Sequence, residues 1–166
     1  MELFENNSRG AVFSDCRNYR YVLWRIWDNE LPLIMCIGLN PSTANSDSDD
    51  PTIQNLTKML KRLGYGGFYM TNLFAIISSK PEILSTCKDP LGKNDIYLAK
   101  TRMQCKDVLF CWGMFPQAKE RGAVVSQMFN NPKCFGINAN GSPFHPRALT
   151  YIKNGIKEAK LIDYLA

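Results

Sequence analysis

Apolar and polar residues alternate along this chain in two different rhythms. From Gly10 to Trp27 the segment GAVFSDCRNYRYVLWRIW is rich in aromatic and β-branched residues, with turn chemistry at Asp15 to Asn18, and it predicts a β-hairpin. Next, LPLIMCIGLN is a short, nearly continuous apolar run, the pattern of a strand covered on both faces. A polar loop, PSTANSDSDD, follows. Then PTIQNLTKMLKRL sets Ile53, Leu56, Met59, Leu60 and Leu63 at helical spacing. Asp50 suits the N-cap of that helix, Pro51 its first position, and Gly64, Gly66 and Gly67 its end.

The strand-then-helix unit recurs. GFYMTNLF reads as a second strand ending near Asn72, and a long loop through Pro81 and Pro90 leads to a helix around 93–105. DVLFCWG reads as a third strand ending at Trp112 and Gly113, followed by a helix over about 116–129. KCFGIN reads as a fourth strand, ANGSPFHP as a loop, and the rest as a helix from about Arg147 to Tyr164 that carries Lys153, Lys157 and Lys160 on one solvated face. Strands alternating with helices imply parallel pairing through right-handed crossovers. The expected fold class is therefore α/β: a three-layer α/β/α sandwich of about four parallel strands plus an N-terminal β-hairpin, in one domain over 1–166.

Composition bounds the function. A chain of 166 residues, 45% hydrophobic and 21% charged, has the length and balance of one globular domain with a sizeable core. The start, MELFENNSRG, is polar and acidic and does not read as a signal peptide; no apolar run reaches the about 18 residues of a membrane span. Six cysteines form no Cys-x-x-Cys pair, and Cys36, Cys111 and Cys134 sit in apolar runs, so buried free thiols in a cytoplasmic protein are expected. The one histidine, His145, excludes metal sites built on two imidazoles and mechanisms with separate histidine acid and base. Asp47, Asp49 and Asp50 read as partners of a helix N-terminus, and no metal or cofactor is expected. The net charge of +5 divides into −4 over 1–55 (eight acids, four bases) and +9 over 56–166 (seven acids, sixteen bases). A basic face attracts phosphates, although a lysine-rich solvated surface has the same composition.

Chemistry in open parallel sheets gathers outside the carboxyl ends of the strands. Here those ends read GLNPSTAN, TNLF, CWG and INANGSPFHPRAL, which would bring Asn40, Asn72, Trp112 and His145 to one edge. Each has a local alternative: a turn at Asn40-Pro41, a backbone bond for Asn72, a core place for Trp112, a satisfied loop histidine at 145. No Walker loop and no Gly-x-Gly-x-x-Gly occurs, and Ser42 lies in Asn-Pro-Ser-Thr rather than a Gly-x-Ser-x-Gly elbow.

The ordered series LNPSTA, DDPTI, GYGG, NLFA, WG and HP-x-x-L resembles the bacterial and phage domain-of-unknown-function family 1643. The same strand ends are more distantly similar to the uracil-DNA glycosylase superfamily. Its first motif, G-x-D/N-P, corresponds to Gly38-Leu39-Asn40-Pro41; its second-strand asparagine to Asn72; its W-G to Trp112-Gly113; and its H-P-S-P-L to His145-Pro146-Arg147-Ala148-Leu149. That resemblance implies a nucleic-acid or nucleotide partner and hydrolysis of an N-glycosidic bond. Neutral His145 would donate to the departing base, Asn40 position the attacking water and Asn72 read a base edge. Leu149 would act as an apolar wedge, while amides at Ser42 and Thr43, with Arg147, hold phosphates. The chain departs from the superfamily in having Asn40 for aspartate, no aromatic just after Pro41, and Arg147-Ala148 for Ser-Pro. Two rival readings are a non-catalytic binder of nucleic acid or nucleotide, and a small-molecule hydrolase using Ser42 or Thr43 with His145.

Overall fold

The hairpin forms where the alternation predicts it. β1 (Arg9–Phe13) and β2 (Arg20–Ile26) pair antiparallel, and Arg17 turns the chain between them with φ 64°. The computed structural model describes residues 8–165; the acidic start discussed above, over 1–7, lies outside them. β3 (Leu33–Gly38), α1 (Pro51–Arg62) and β4 (Gly67–Asn72) follow. All of β4, and all of β3 after Leu33, is buried. Both strands have neighbours on each edge and helices over their faces, so both read as apolar runs without alternation.

In α1 the Asp50 carboxylate accepts the Ile53 N–H, Pro51 opens the first turn, and Ile53, Leu56, Met59 and Leu60 are buried. Beyond β4 the chain forms α2 (Ile83–Thr86), α3 (Asn94–Arg102), β5 (Asp107–Phe110), α4 (Ala118–Ser126) and β6 (Lys133–Cys134). A 3-10 helix over Pro146–Tyr151, α5 (Gly155–Glu158) and β7 (Ile162–Asp163) complete it.

The sheet is mixed and has seven strands, in the order β1-β2-β4-β3-β5-β6-β7. β3 pairs parallel with β4 and β5, and β5 with β6; β2 runs antiparallel to β4, and β7 to β6. The hairpin is thus no appendage. It extends the sheet, and a seventh strand absent from the sequence expectation closes the other edge. Successive residues of β3 pack into opposite apolar clusters, as the strand period of two requires. Met35 and Ile37 join Leu98 of α3 and Val125 of α4, whereas Ile34 and Cys36 join Leu56 and Leu60 of α1.

Two elements differ from their prediction. The fourth strand shrinks to Lys133–Cys134, and Ile137 makes only an isolated bridge to Pro143. The long last helix breaks into the 3-10 helix and α5, because Ile152 is extended (ψ 133°) and Asn154 is left-handed (φ 57°). A Cβ at Gly155 would overlap the Leu149 carbonyl, so this close approach needs glycine. Lys153, Lys157 and Lys160 are exposed but share no helix face. Cys36, Cys111 and Cys134 are buried free thiols, as expected, and Cys105 joins them.

Candidate functional site

β3, β4 and β5 end side by side, with Gly38 registered against Asn72 and Ile37 against Phe110. From β3 the chain goes through α1 to β4 on one side, then crosses through α3 to β5 on the other. Connections that diverge in this way leave a crevice at the carboxyl ends of the strands. A cleft of about 1060 Å³ opens there.

Eight of the expected site residues line it: Gly38, Leu39, Asn40, Ser42 and Thr43 after β3, Asn72 at the end of β4, and His145 and Arg147 at the 3-10 helix. Four do not. Trp112 is 3% exposed and packs on Phe110 with ring centroids 4.7 Å apart, and Pro41 and Pro146 are buried away from the wall. Leu149 is 5% exposed within the α1 cluster, whereas a wedge must project from the surface.

His145 caps the 3-10 helix, and its Nδ1 accepts the Arg147 N–H at 3.0 Å. That bond fixes the neutral tautomer with its proton on Nε2, which makes Nε2 a donor. Burial lowers the imidazole pKa, opposed by the charge of Asp50, so the neutral form holds at pH 7. With Nδ1 engaged and Nε2 protonated, no basic nitrogen remains to activate Ser42 or Thr43. The loop beneath the ring is pinned by Gly113 N–H donating to the Pro143 carbonyl (3.1 Å) and Phe144 N–H to Gly136 (2.8 Å). Gly113 has φ 81°, and a Cβ on it would lie 2.9 Å from the Cβ of His145. Glycine there gives the histidine its space.

Asn40 donates through Nδ2 to the carbonyls of Ser78 (2.9 Å), Pro41 (3.1 Å) and Ile76 (3.4 Å). With the two N–H bonds of Nδ2 shared among these carbonyls, Oδ1 is what Asn40 offers as an acceptor. Asn72 is 2% exposed, and its Nδ2 is buried with no hydrogen-bond partner. An unsatisfied buried donor costs about 1–3 kcal/mol. It is kept here on the wall of a cleft, next to Gly38, where a Cβ would sit 2.8 Å from Asn72 Oδ1.

The structure adds wall residues that the motifs did not single out. Arg20 of β2 lines the cleft though it is 3% exposed. Its apolar neighbours in the sequence made it read as part of a hairpin. Phe115 stands edge-on to His145 with ring centroids 6.5 Å apart and lines the cleft. Asp50 serves both as the α1 cap and as the carboxylate on the wall. Among the described residues no group of three or more His, Cys, Asp or Glu side chains could hold a metal, and no helix is long and apolar enough to cross a membrane.

Fold and site together define a mixed α/β protein with a polar-lined cleft where its parallel strands end. Residues 20–147 match the model of the family described as "Protein of unknown function (DUF1643)", and the chain belongs to that family. The matched span includes Arg20, Asn40, Asn72, His145 and Arg147. No curated protein and no solved structure matches the chain.

Proposed function

We propose that this protein is a glycosylase-like enzyme that recognises a nucleobase, in DNA or in a nucleotide, and hydrolyses its N-glycosidic bond. The carrying observation is that Asn40, Asn72 and His145, from three separate segments, line one cleft. In this reading 1–166 forms one uracil-DNA glycosylase-like domain of three layers. The parallel β4-β3-β5-β6 run between two apolar clusters supports it, and six free thiols support a cytoplasmic setting.

The chemistry follows from charge. Water adds to the anomeric carbon, the C1′–N bond breaks, and its electron pair leaves on the base. His145 Nε2–H faces that developing negative charge as a preorganised donor, an interaction typically worth about 3–4 kcal/mol. Asn40 Oδ1 orients the water by accepting a hydrogen bond from it, and the proton the water loses ends on the departing base anion through solvent. Asn72 Nδ2 gains the acceptor it lacks in the free protein from a base carbonyl, and Phe115 offers the base a ring face. Arg147, exposed at the mouth, meets phosphate. The test is incubation with oligonucleotides and nucleotides carrying uracil and modified bases, scoring base release. Release by wild type and not by the Asn40→Ala, His145→Ala double variant is expected; equal release by both across the panel sinks the enzymatic reading.

A second reading keeps the ligand and drops the turnover. It is favoured by Asn40, whose amide has no basic form and whose Nδ2 is committed to backbone carbonyls. Base-selective binding without base release would establish it.

A further inference from the structure

We propose that Arg20 holds the phosphate of a nucleotide bound in the cleft, so that the occupant is recognised as an anion as well as a base. This rests on the nucleobase reading and deepens it. Two arginines on β2 give the contrast. Arg25 is buried and fully engaged: Asp49 Oδ1 accepts from its Nε at 2.8 Å and its Nη2 at 2.7 Å, and the carbonyls of Trp24 and Asn45 take further bonds. Arg20, five residues earlier and equally buried, has no carboxylate in ion-pair range among the described residues. Its Nη1 donates to the Ala44 carbonyl at 2.6 Å, and its Nε is buried without a partner. A buried guanidinium with no contacting counter-ion is costly unless something else supplies one.

What remains is the cleft that Arg20 lines. Asp50 on the same wall favours the charged guanidinium through its field but makes no contact ion pair with it. The burial also pushes the Arg20 pKa down to about 10, which still leaves the group fully charged at neutral pH. Around the same space stand Asn72 Nδ2 without an acceptor, the Nε2 donor of His145, and the exposed guanidinium of Arg147. All of these are donors, and an acceptor-rich anion answers them. A nucleotide does so with one molecule, its base at Asn72 and His145 and its phosphate at Arg20.

The experiment is isothermal titration of the full chain with a panel of nucleoside 5′-monophosphates, the matching nucleosides, ribose 5-phosphate and inorganic phosphate. Wild type is compared with Arg20→Lys and Arg20→Met. The expected result is monophosphates binding about ten- to a hundred-fold more tightly than their nucleosides, as a charge-assisted contact predicts. That preference should fall to within about two-fold in Arg20→Met and lie between in Arg20→Lys. Equal binding of nucleosides and monophosphates by wild type, no binding of any monophosphate, or an undiminished preference in Arg20→Met overturns the proposal. Should Arg20→Met not fold because the Ala44 tie is lost, the wild-type comparison and Arg20→Lys decide it. Ribose 5-phosphate binding as tightly as every monophosphate would keep the phosphate site and sink the nucleobase reading. Base-selective binding of nucleosides without a phosphate preference would do the reverse.

Discussion

His145 is the one imidazole of the chain, and it lines the cleft. Nδ1 is held by the Arg147 N–H, and burial lowers the pKa below the ordinary imidazole value of 6.5. The unfolded chain therefore takes up this proton at a higher pH than the folded one, so the neutral histidine's share of stability is present above pH 6.5 and declines as the pH falls toward the folded pKa. Since the sequence has one histidine, its ring C–H resonance is unambiguous in a proton NMR titration. The midpoint should lie below 6.5, and the decline in unfolding free energy from pH 7 toward 5 should be shallower in His145→Asn, which keeps an acceptor for Arg147. A midpoint at or above 6.5 contradicts the lowering by burial. Asn72 gives a second prediction. Because its Nδ2 has no partner, Asn72→Leu should leave stability within about 1 kcal/mol of wild type or raise it, while weakening nucleobase binding about ten-fold. Denaturant titration and calorimetry on the same samples check both halves. A large loss of stability would make Asn72 a structural residue instead.

Elements were legible where one physical signal decided them. α1 was readable to its ends: Asp50 and Pro51 begin it, the spacing of Ile53, Leu56, Met59 and Leu60 buries one face, and Gly64 at φ 88° ends it. The central strands were readable because continuous apolar runs of strand length need two covered faces. The last helix was not. Its periodicity is real, yet the Asn154-Gly155 pair breaks it by adopting a left-handed turn that lets Gly155 pass against the Leu149 carbonyl. That packing decides where the His145 segment sits, so Gly155→Ala should destabilise the protein by about 1–3 kcal/mol through overpacking. It should also broaden the His145 resonance. A variant as stable as wild type would show that this approach is relaxed easily. Leu149, expected as a wedge, instead packs its side chain in the α1 cluster.

At the scale of the whole molecule, charge has a different meaning from the one composition implies. Of the sixteen bases in 56–166, the cleft wall carries only Arg147, joined there by Arg20 from the acidic portion and faced by Asp50. The acidic loop is also partly neutralised, since Asp49 pairs with Arg25 and Arg9. A cleft with two arginines implies few phosphate contacts. At about −0.7 per contact, single-strand binding should show a slope of log K against log salt near about −1.4. A slope steeper than about −4 would reveal a broad basic face outside the cleft. By itself the sequence determined what local physics controls: the hairpin, the apolar central strands, α1 with its caps, and which strand ends carry asparagine and histidine. It could also place Asn40, Asn72 and His145 on one edge, because parallel strands joined by crossovers end on the same side. Only the tertiary structure decided which side chains keep unpaired donors. Arg20 is separated in sequence from every other wall residue, and its lack of a contacting counter-ion reflects Asp49 pairing with Arg25, with Asp50 acting on it only from a distance. Such pairings are settled by three-dimensional competition among charges, for which periodicity and propensity carry no signal.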